Sequence, residues 1–136
     1  YHGDLHFENI IYSKNKKFIF LDWRHEFDKN VHYGDIYYDL AKLMHGIIVS
    51  HDSIIKKKYK INWNSNKINY EIKNKKIYKS YLKIYTNWLI KKNYSIEKIN
   101  ILTALIFLNI APLHHYPYSL FLYALEKKKL IDIVYK

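Results

Sequence analysis

Two segments of the chain alternate apolar and polar residues in the way that β-hairpins do. Near the start, the apolar stretches 9–12 and 18–22 flank a polar turn that contains Asn15. Further on, residues 59–63 and 68–72 alternate around a second polar turn. Because a strand places successive side chains on opposite faces, both patterns predict antiparallel hairpins. We expect the second hairpin to be the more exposed of the two.

Four other segments repeat their apolar residues with the period of an α-helix. The first covers about 36–49, with Asp35 as a candidate N-cap. The second covers 77–92, and the third follows a Ser95 cap and ends at Pro112, whose ring and missing N–H cannot continue a helix. The last begins near Pro117 and runs through Leu125. This order predicts one mainly α-helical domain over 1–136 with a small β element at its start.

The composition is that of a globular protein. Of 136 residues, 49% are hydrophobic, and only three are Gly and two are Pro, so the chain is rich in core formers and poor in helix breakers. The absence of Cys excludes a disulfide framework and a thiolate metal site, and a cytoplasmic location is the expectation. The longest clean apolar run, 101–108, is far shorter than the ~20 residues of a membrane span, so no span is expected.

The charge is distributed unevenly along the chain. The net charge is +11, but Arg24 is the sole arginine, and Lys, Ile, Tyr and Asn together supply 70 residues, which points to compositional bias. Nucleic-acid readers favour Arg for bidentate contacts, so a nucleic-acid partner is not expected. Residues 40–136 hold eighteen basic and five acidic residues (net +13), whereas residues 1–39 hold five basic and seven acidic residues (net −2). The acidic residues therefore gather where the first hairpin is predicted.

Three of the polar residues in this segment can be brought together by the predicted first hairpin. Asp4 and Asn9 are separated by four residues, and Asp22 follows at the end of the second strand of the first hairpin. That strand returns its end toward the loop before the first strand, so the three side chains can converge. Amide and carboxylate oxygens suit a hard cation such as Mg²⁺, and a further carboxylate can orient a hydroxyl and accept its proton.

Three ordered motifs carry a family resemblance: His2-Gly3-Asp4-Leu5-His6-Phe7-Glu8-Asn9-Ile10, Phe20-Leu21-Asp22-Trp23, and the segment 34–43 with the sequence GDIYYDLAKL. In these motifs the chain resembles the aminoglycoside phosphotransferase and choline kinase group of small-molecule kinases, a branch of the protein-kinase-like fold. The resemblance is specific over the first third of the chain and covers the rest only in pattern.

The resemblance implies a set of roles. Asp4 would be the catalytic base, His2 would support its loop, and Asn9 and Asp22 would bind Mg²⁺ and, through it, the phosphates of ATP. Asp35 would brace the loop from the following helix. The acceptor would be a hydroxyl of a small molecule such as choline, a sugar, an aminoglycoside or an amino alcohol.

The resemblance also implies a division into lobes. The chain would be the C-terminal lobe of the fold, with the catalytic loop and metal hairpin at 1–24 and a helical remainder at 35–136. An N-terminal lobe that carries the phosphate-covering loop and its Lys would be absent from it and would act as its partner. Residues 1–136 alone are therefore expected to show no kinase activity.

Structural alternatives stand beside these roles. Asp4 and Asn9 could form an Asx turn, and Asp22 could close a turn. Asp35 could be a helix cap, a brace or both. Arg24 could contact substrate or phosphate, or it could form a surface ion pair. A structural role is favoured for Asp39, and other candidates are His6 and His25 for substrate or phosphate contact and His114-His115 for packing at a helix end.

Two other functions stay open at this level. The chain could be a non-catalytic remnant of a truncated or split kinase gene. It could also be a basic module that binds an anionic polymer or membrane surface, a possibility that depends only on the charge of 40–136.

Overall fold

The computed structural model describes residues 1–64, 67–73 and 75–135, with only the backbone of Lys75. Its elements follow the order hairpin, two helices, hairpin and three helices. The strands are β1 (Ile10–Tyr12), β2 (Phe18–Phe20), β3 (Tyr59–Asn64) and β4 (Lys67–Ile72). The helices are α1 (Ile36–Ile48), α2 (His51–Ile55), α3 (Lys75–Lys91), α4 (Ile96–Ile110) and α5 (Tyr118–Val134). The prediction of a mainly α-helical chain with small β elements is confirmed.

The core lies where α1, α4 and α5 pack together, with α3 against α1. Phe107 of α4 and Phe121 of α5 are its largest fully buried side chains. The predicted N-caps are confirmed: Asp35 accepts a hydrogen bond from the amide of Tyr37, and Ser95 accepts one from the amide of Lys98. These caps set where α1 and α4 begin, and α1 in turn carries residues of the candidate site.

The second hairpin packs against the helical core. Tyr59 pairs with Ile72, and Ile61 pairs with Tyr70, so these four side chains share one face. That face packs on the core cluster, where the ring of Tyr59 lies 4.8 Å from that of Phe121. The turn of this hairpin at 65–66 lies outside the described residues.

The first hairpin is the more exposed one, which corrects the expectation from the sequence. In β1 and β2 only Ile10 is partly buried, and the whole of β2 is exposed. Phe18 leaves 65% of its surface in solvent. The reason is that no helix covers this hairpin within the described residues, whereas α5 lies across the second hairpin.

Several element bounds differ from the predicted ones. The short helix α2, capped by Ser50, was not predicted, and α5 continues beyond Leu125 to Val134. The segment 96–113 is longer than the clean apolar run, and its mean hydropathy of 1.5 over 18 residues would suit a membrane span by length and composition. A core helix passes the same test, and residues of this segment such as Ile99 and Phe107 are buried in the core.

Candidate functional site

The loop at the start of the chain is held by a buried carboxylate in the first turn of α1. The amides of His2 and Gly3 donate to the two oxygens of Asp39, over 2.5 and 2.8 Å. Asp39 is only 2% exposed, so these two bonds satisfy a charge that burial would otherwise make costly. Asp39 therefore determines where the loop lies relative to the helical core.

The residue that braces the loop is therefore Asp39. The resemblance had implied Asp35 for this role. The carboxylate of Asp35 caps α1 through the amide of Tyr37 and forms an ion pair of 3.1 Å with Lys98 of α4. Both aspartates lie near the start of α1, one helical turn apart. Only the second of them is oriented toward the loop.

Gly3 occupies a position that a larger residue could not take. Its φ of +83° is in the left-handed region, and a Cβ there would lie 2.7 Å from Cβ of Arg24. The amide of Arg24 donates to the carbonyl of His2 over 3.0 Å, which ties the segment after β2 to the loop. Close approach of these two backbones therefore depends on glycine.

His2 is buried inside the loop and bonds to its backbone. It is 3% exposed, and its ring lies 4.8 Å from the ring of Trp23. Nδ1 accepts a hydrogen bond from the amide of Asp4 at 3.3 Å, so the ring proton of the neutral form is on Nε2. His2 thereby fixes the backbone that presents Asp4.

Asp4 is a charged carboxylate with a cationic partner. Its Oδ1 lies 2.7 Å from Nζ of Lys42, and its Oδ2 lies 3.5 Å from Nε2 of His6. Burial alone would raise the pKa of Asp4, but the hydrogen bond and charge of Lys42, with the charges of His6 and Arg24, hold it below its ordinary value. These contacts are to side chains, whereas an Asx turn would use a backbone amide.

The side chain of Asn9 is oriented by its neighbours. Its Nδ2 donates to the carbonyl of Asp4 over 3.0 Å and lies 3.2 Å from Nε2 of His6. Because the carbonyl can only accept, the Asn9 nitrogen is the donor; when His6 is neutral, its Nε2 accepts from this nitrogen and its Nδ1 donates to Glu8 over 2.7 Å. Both contacts of the Asn9 amide use its nitrogen, which leaves its oxygen to serve as a ligand.

Asp22 reaches the same place from the second strand. The amide of Leu21 donates to the carbonyl of Asn9 over 2.9 Å, which places Asp22 between this bond and the bond of Arg24 to His2. Asp22 is exposed. Because its φ of +56° is in the left-handed region, Asp22 also turns the chain out of β2. Asp4 and Asp22 line one cavity of about 830 Å³, together with Arg24, Glu26, Asp28 and three neighbouring residues.

Asp4, Asp22 and Arg24 line the same cavity, and His2 and Asn9 are bonded to the backbone of Asp4, whereas Asp35 lies at the start of α1. Among the described residues the guanidinium of Arg24 forms no ion pair and lies 5.8 Å from the centre of the Tyr38 ring. It lines the site cavity beside Asp4. His25 lines the same cavity, whereas His114 packs edge-on against Tyr118 at the start of α5, as predicted for a helix-end feature.

The oxygen donors fit Mg²⁺ bound together with phosphate. The described residues contain no group of three His, Cys, Asp or Glu side chains that could hold a metal alone. The carboxylate of Asp22 lines the open cavity, and the amide oxygen of Asn9 is a second hard oxygen donor on the loop that is bonded to the backbone beside Asp22. Mg²⁺ commonly takes one or two protein oxygens and fills its other positions with water and phosphate, which this donor set allows.

Sequence reasoning assigned no role to Lys42. This residue is three positions after Asp39 on α1, so both project from the same face of the helix. The spacing of Asp39 and Lys42 was therefore a usable signal, since one residue binds the loop backbone and the other binds the loop carboxylate. Only 12% of the Lys42 side chain is exposed, which makes the pair with Asp4 more than a surface contact.

Comparisons with protein-family models, with curated proteins and with solved structures gave no match for this chain.

Proposed function

We propose that this chain is the C-terminal lobe of a protein-kinase-like enzyme that transfers a phosphoryl group from ATP to a hydroxyl of a small molecule. One observation carries the proposal: a single braced loop holds Asp4 and Asn9, the backbone next to Asp22 is bonded to that loop, and Asp4 and Asp22 line one cavity. The three motifs that resemble small-molecule kinases supply these same residues. A cytoplasmic location, where ATP and Mg²⁺ are available, is part of the proposal.

Asp4 is the catalytic residue in this proposal. Because Lys42 keeps it ionised, Asp4 accepts a hydrogen bond from the acceptor hydroxyl and orients the oxygen toward the phosphorus. Phosphoryl transfer proceeds through a loose transition state, so the proton leaves the hydroxyl late and a carboxylate of low pKa is a sufficient base. The loop brace at Asp39 keeps that oxygen in place while the proton moves to Asp4.

Asn9 and Asp22 are the residues that would hold Mg²⁺. The bound ion would neutralise charge on the transferred phosphate. Asn9 is suited to this role because its nitrogen is tied to the loop and its oxygen is not. Asp22 is suited to it because it lies at the end of β2 and lines the site cavity.

The proposal is tested by phosphoryl transfer from γ-labelled ATP to a panel of small alcohols, with the full-length protein as its gene encodes it. Asp4→Asn keeps the size of the side chain and removes its basicity, so turnover should fall by about 10²- to 10⁴-fold with little change in ATP affinity. The matched control is Asp52→Asn, because Asp52 is an exposed aspartate that pairs with Lys56 and Lys58 and does not line the site cavity. It should keep wild-type turnover.

Two outcomes would contradict the proposal. If Asp4→Asn turned over at the wild-type rate, Asp4 would not be the base. If the wild-type protein transferred no phosphate to any acceptor and bound no ATP, the chain would be a non-catalytic remnant.

A further inference from the structure

A second cavity is lined by Lys42, the partner of Asp4. It has a volume of about 350 Å³ and lies between α1 and α4, and it shares Arg24 with the site cavity. Nζ of Lys42 is 2.7 Å from Oδ1 of Asp4, which itself lines the site cavity. A molecule that extends from this second cavity toward the site cavity would therefore bring one end to the carboxylate that orients the acceptor hydroxyl.

The second cavity combines apolar and polar side chains in similar proportion. The apolar ones are Leu102, Leu105, Ile106, Ile110 and Leu113. The polar ones are Arg24, Tyr38 and Lys42, together with Asn109 of α4. Such a lining suits a ligand that has both an apolar part and a charged group.

The two cavities differ in the charged side chains that line them. The site cavity has four carboxylates in its lining, among them Asp4 and Asp22. In the second cavity the charged side chains are Arg24 and Lys42, and the described lining includes no carboxylate. Lys42 is already paired with Asp4, which leaves the guanidinium of Arg24, stacked near Tyr38, as the cation available to a ligand.

These charges select among acceptors. A cationic acceptor such as an amino alcohol would meet Arg24 with no carboxylate to balance it. A carboxylate would meet a planar fork of donors that matches its two oxygens. One available arginine neutralises a monoanionic carboxylate, whereas a phosphate dianion would leave one charge uncompensated on an apolar wall.

We infer that the cavity between α1 and α4 is the acceptor site, and that it selects a hydroxylated carboxylic acid with an apolar carbon frame. The carboxylate pairs with Arg24, the carbon frame lies on the leucine and isoleucine side chains of α4, and the hydroxyl is presented to Asp4. This inference rests on the proposed function and narrows its substrate class.

The test uses three alcohols of one length that differ only in the charge of the far end: 6-hydroxyhexanoate, 1,6-hexanediol and 6-amino-1-hexanol. Binding to the full-length protein is measured by NMR titration at pH 7.5 without nucleotide. The acid should bind at least about tenfold more tightly than the amine, with the diol between them. Failure of all three to bind, or tighter binding of the amine, would overturn the inference.

Two variants assign the effect to this cavity. Arg24→Gln should weaken binding of the acid about tenfold and change binding of the diol by less than about twofold. Because Arg24 also packs on Gly3, a second variant, Asn109→Asp, places a negative charge on the exposed α4 side of the cavity without touching the loop. It should reduce or reverse the preference for the acid, and an unchanged preference in both variants would contradict the inference.

Phosphoryl transfer separates this inference from the proposed function. Transfer from ATP to the amine and not to the acid would overturn the acceptor assignment and leave the kinase proposal standing. Binding of the acid with no transfer to any alcohol would instead contradict the kinase proposal.

Discussion

The two β-hairpins of this chain share a topology and differ in what holds them. The second hairpin packs Tyr59 and Tyr70 on Phe121 of the helical core. The first hairpin leaves all of β2 in solvent and is fixed through its ends by polar bonds: Leu21 to Asn9 and Arg24 to His2 along the backbone. Asp39 then holds the same loop from α1.

This difference separates stability from site geometry. Burial of an aromatic ring contributes roughly 1.5–3 kcal/mol, whereas a net hydrogen bond contributes about 1 kcal/mol but fixes direction. The second hairpin therefore stabilises the fold, and the bonds of the first one position Asp4, Asn9 and Asp22. Changes in the two regions should consequently affect different measurements.

The largest expected effect is a loss of stability when the core contact under the second hairpin is removed. Phe121→Ala should lower the free energy of unfolding by about 4 kcal/mol, because Phe121 is 1% exposed and contacts both strands. Phe20→Ala is the matched change in the first hairpin, where the ring is 42% exposed, and should cost about 1 kcal/mol or less. Urea unfolding measures both values, and equal losses would refute the contrast.

The next effect concerns a histidine on α1 between the core and the site. His45 packs against Phe107, and neither ring nitrogen has a hydrogen-bond partner among the described residues. Burial, with the nearby charges of Lys42 and His6, lowers the pKa of His45 from 6.5 to about 4, and the carboxylates of Glu8 and Asp4 oppose this shift only in part.

The sign of the pH dependence follows from this shift. Between pH 6.5 and 4 the unfolded chain binds a proton at His45 that the folded chain does not bind, so stability falls as the pH decreases through this window. The loss reaches about 3 kcal/mol at pH 4. His45→Leu should remove this component of the loss, whereas the same change at the exposed His115 should keep it. Unfolding measured across this pH range in both variants gives the difference, and parallel curves for wild type and His45→Leu would contradict the account.

A smaller and more local effect is expected at the loop brace. Asp39→Asn replaces one accepting oxygen with an amide donor that faces a backbone N–H, which should cost about 2 kcal/mol of local stability. Hydrogen exchange at the amide of Gly3 should therefore accelerate by about 30-fold, with little change in the core. Asp35→Asn is the control, because asparagine is also a good N-cap and should leave exchange at Gly3 unchanged. Equal acceleration in both variants would contradict the assignment of the brace to Asp39 alone.

The local pattern of the sequence predicted most of the elements, because period and capping act within a few residues. The apolar spacing of 36–48 and the caps at Asp35 and Ser95 are examples. The relative exposure of the hairpins was predicted wrongly, because it depends on Phe121, which lies about fifty residues further along the chain than β4. A strand's own alternation does not reveal which element will cover it.

In the candidate site, too, local sequence pattern predicted some features and missed those that depend on distant residues. The spacing of Asp4 and Asn9 within one loop indicated their shared location, and the hairpin indicated how Asp22 returns to it. The choice between Asp35 and Asp39 as brace required the rotation of α1 relative to the loop, which no local pattern contains. Lys42 was overlooked because its partner Asp4 is 38 positions earlier, although its spacing from Asp39 places both residues on one face of α1.

The central claim is that Asp22 and Asn9 bind the metal of a nucleotide site, and calorimetry of ATP binding with and without Mg²⁺ tests it most directly. The full-length wild-type protein should bind ATP more tightly with Mg²⁺, and Asp22→Ala should lose at least about tenfold of this enhancement. Asp28→Ala is the matched control, because Asp28 lines the same cavity and also has a positive φ. It should keep the enhancement. Unchanged Mg²⁺ dependence in Asp22→Ala, or an equal loss in both variants, would contradict the claim.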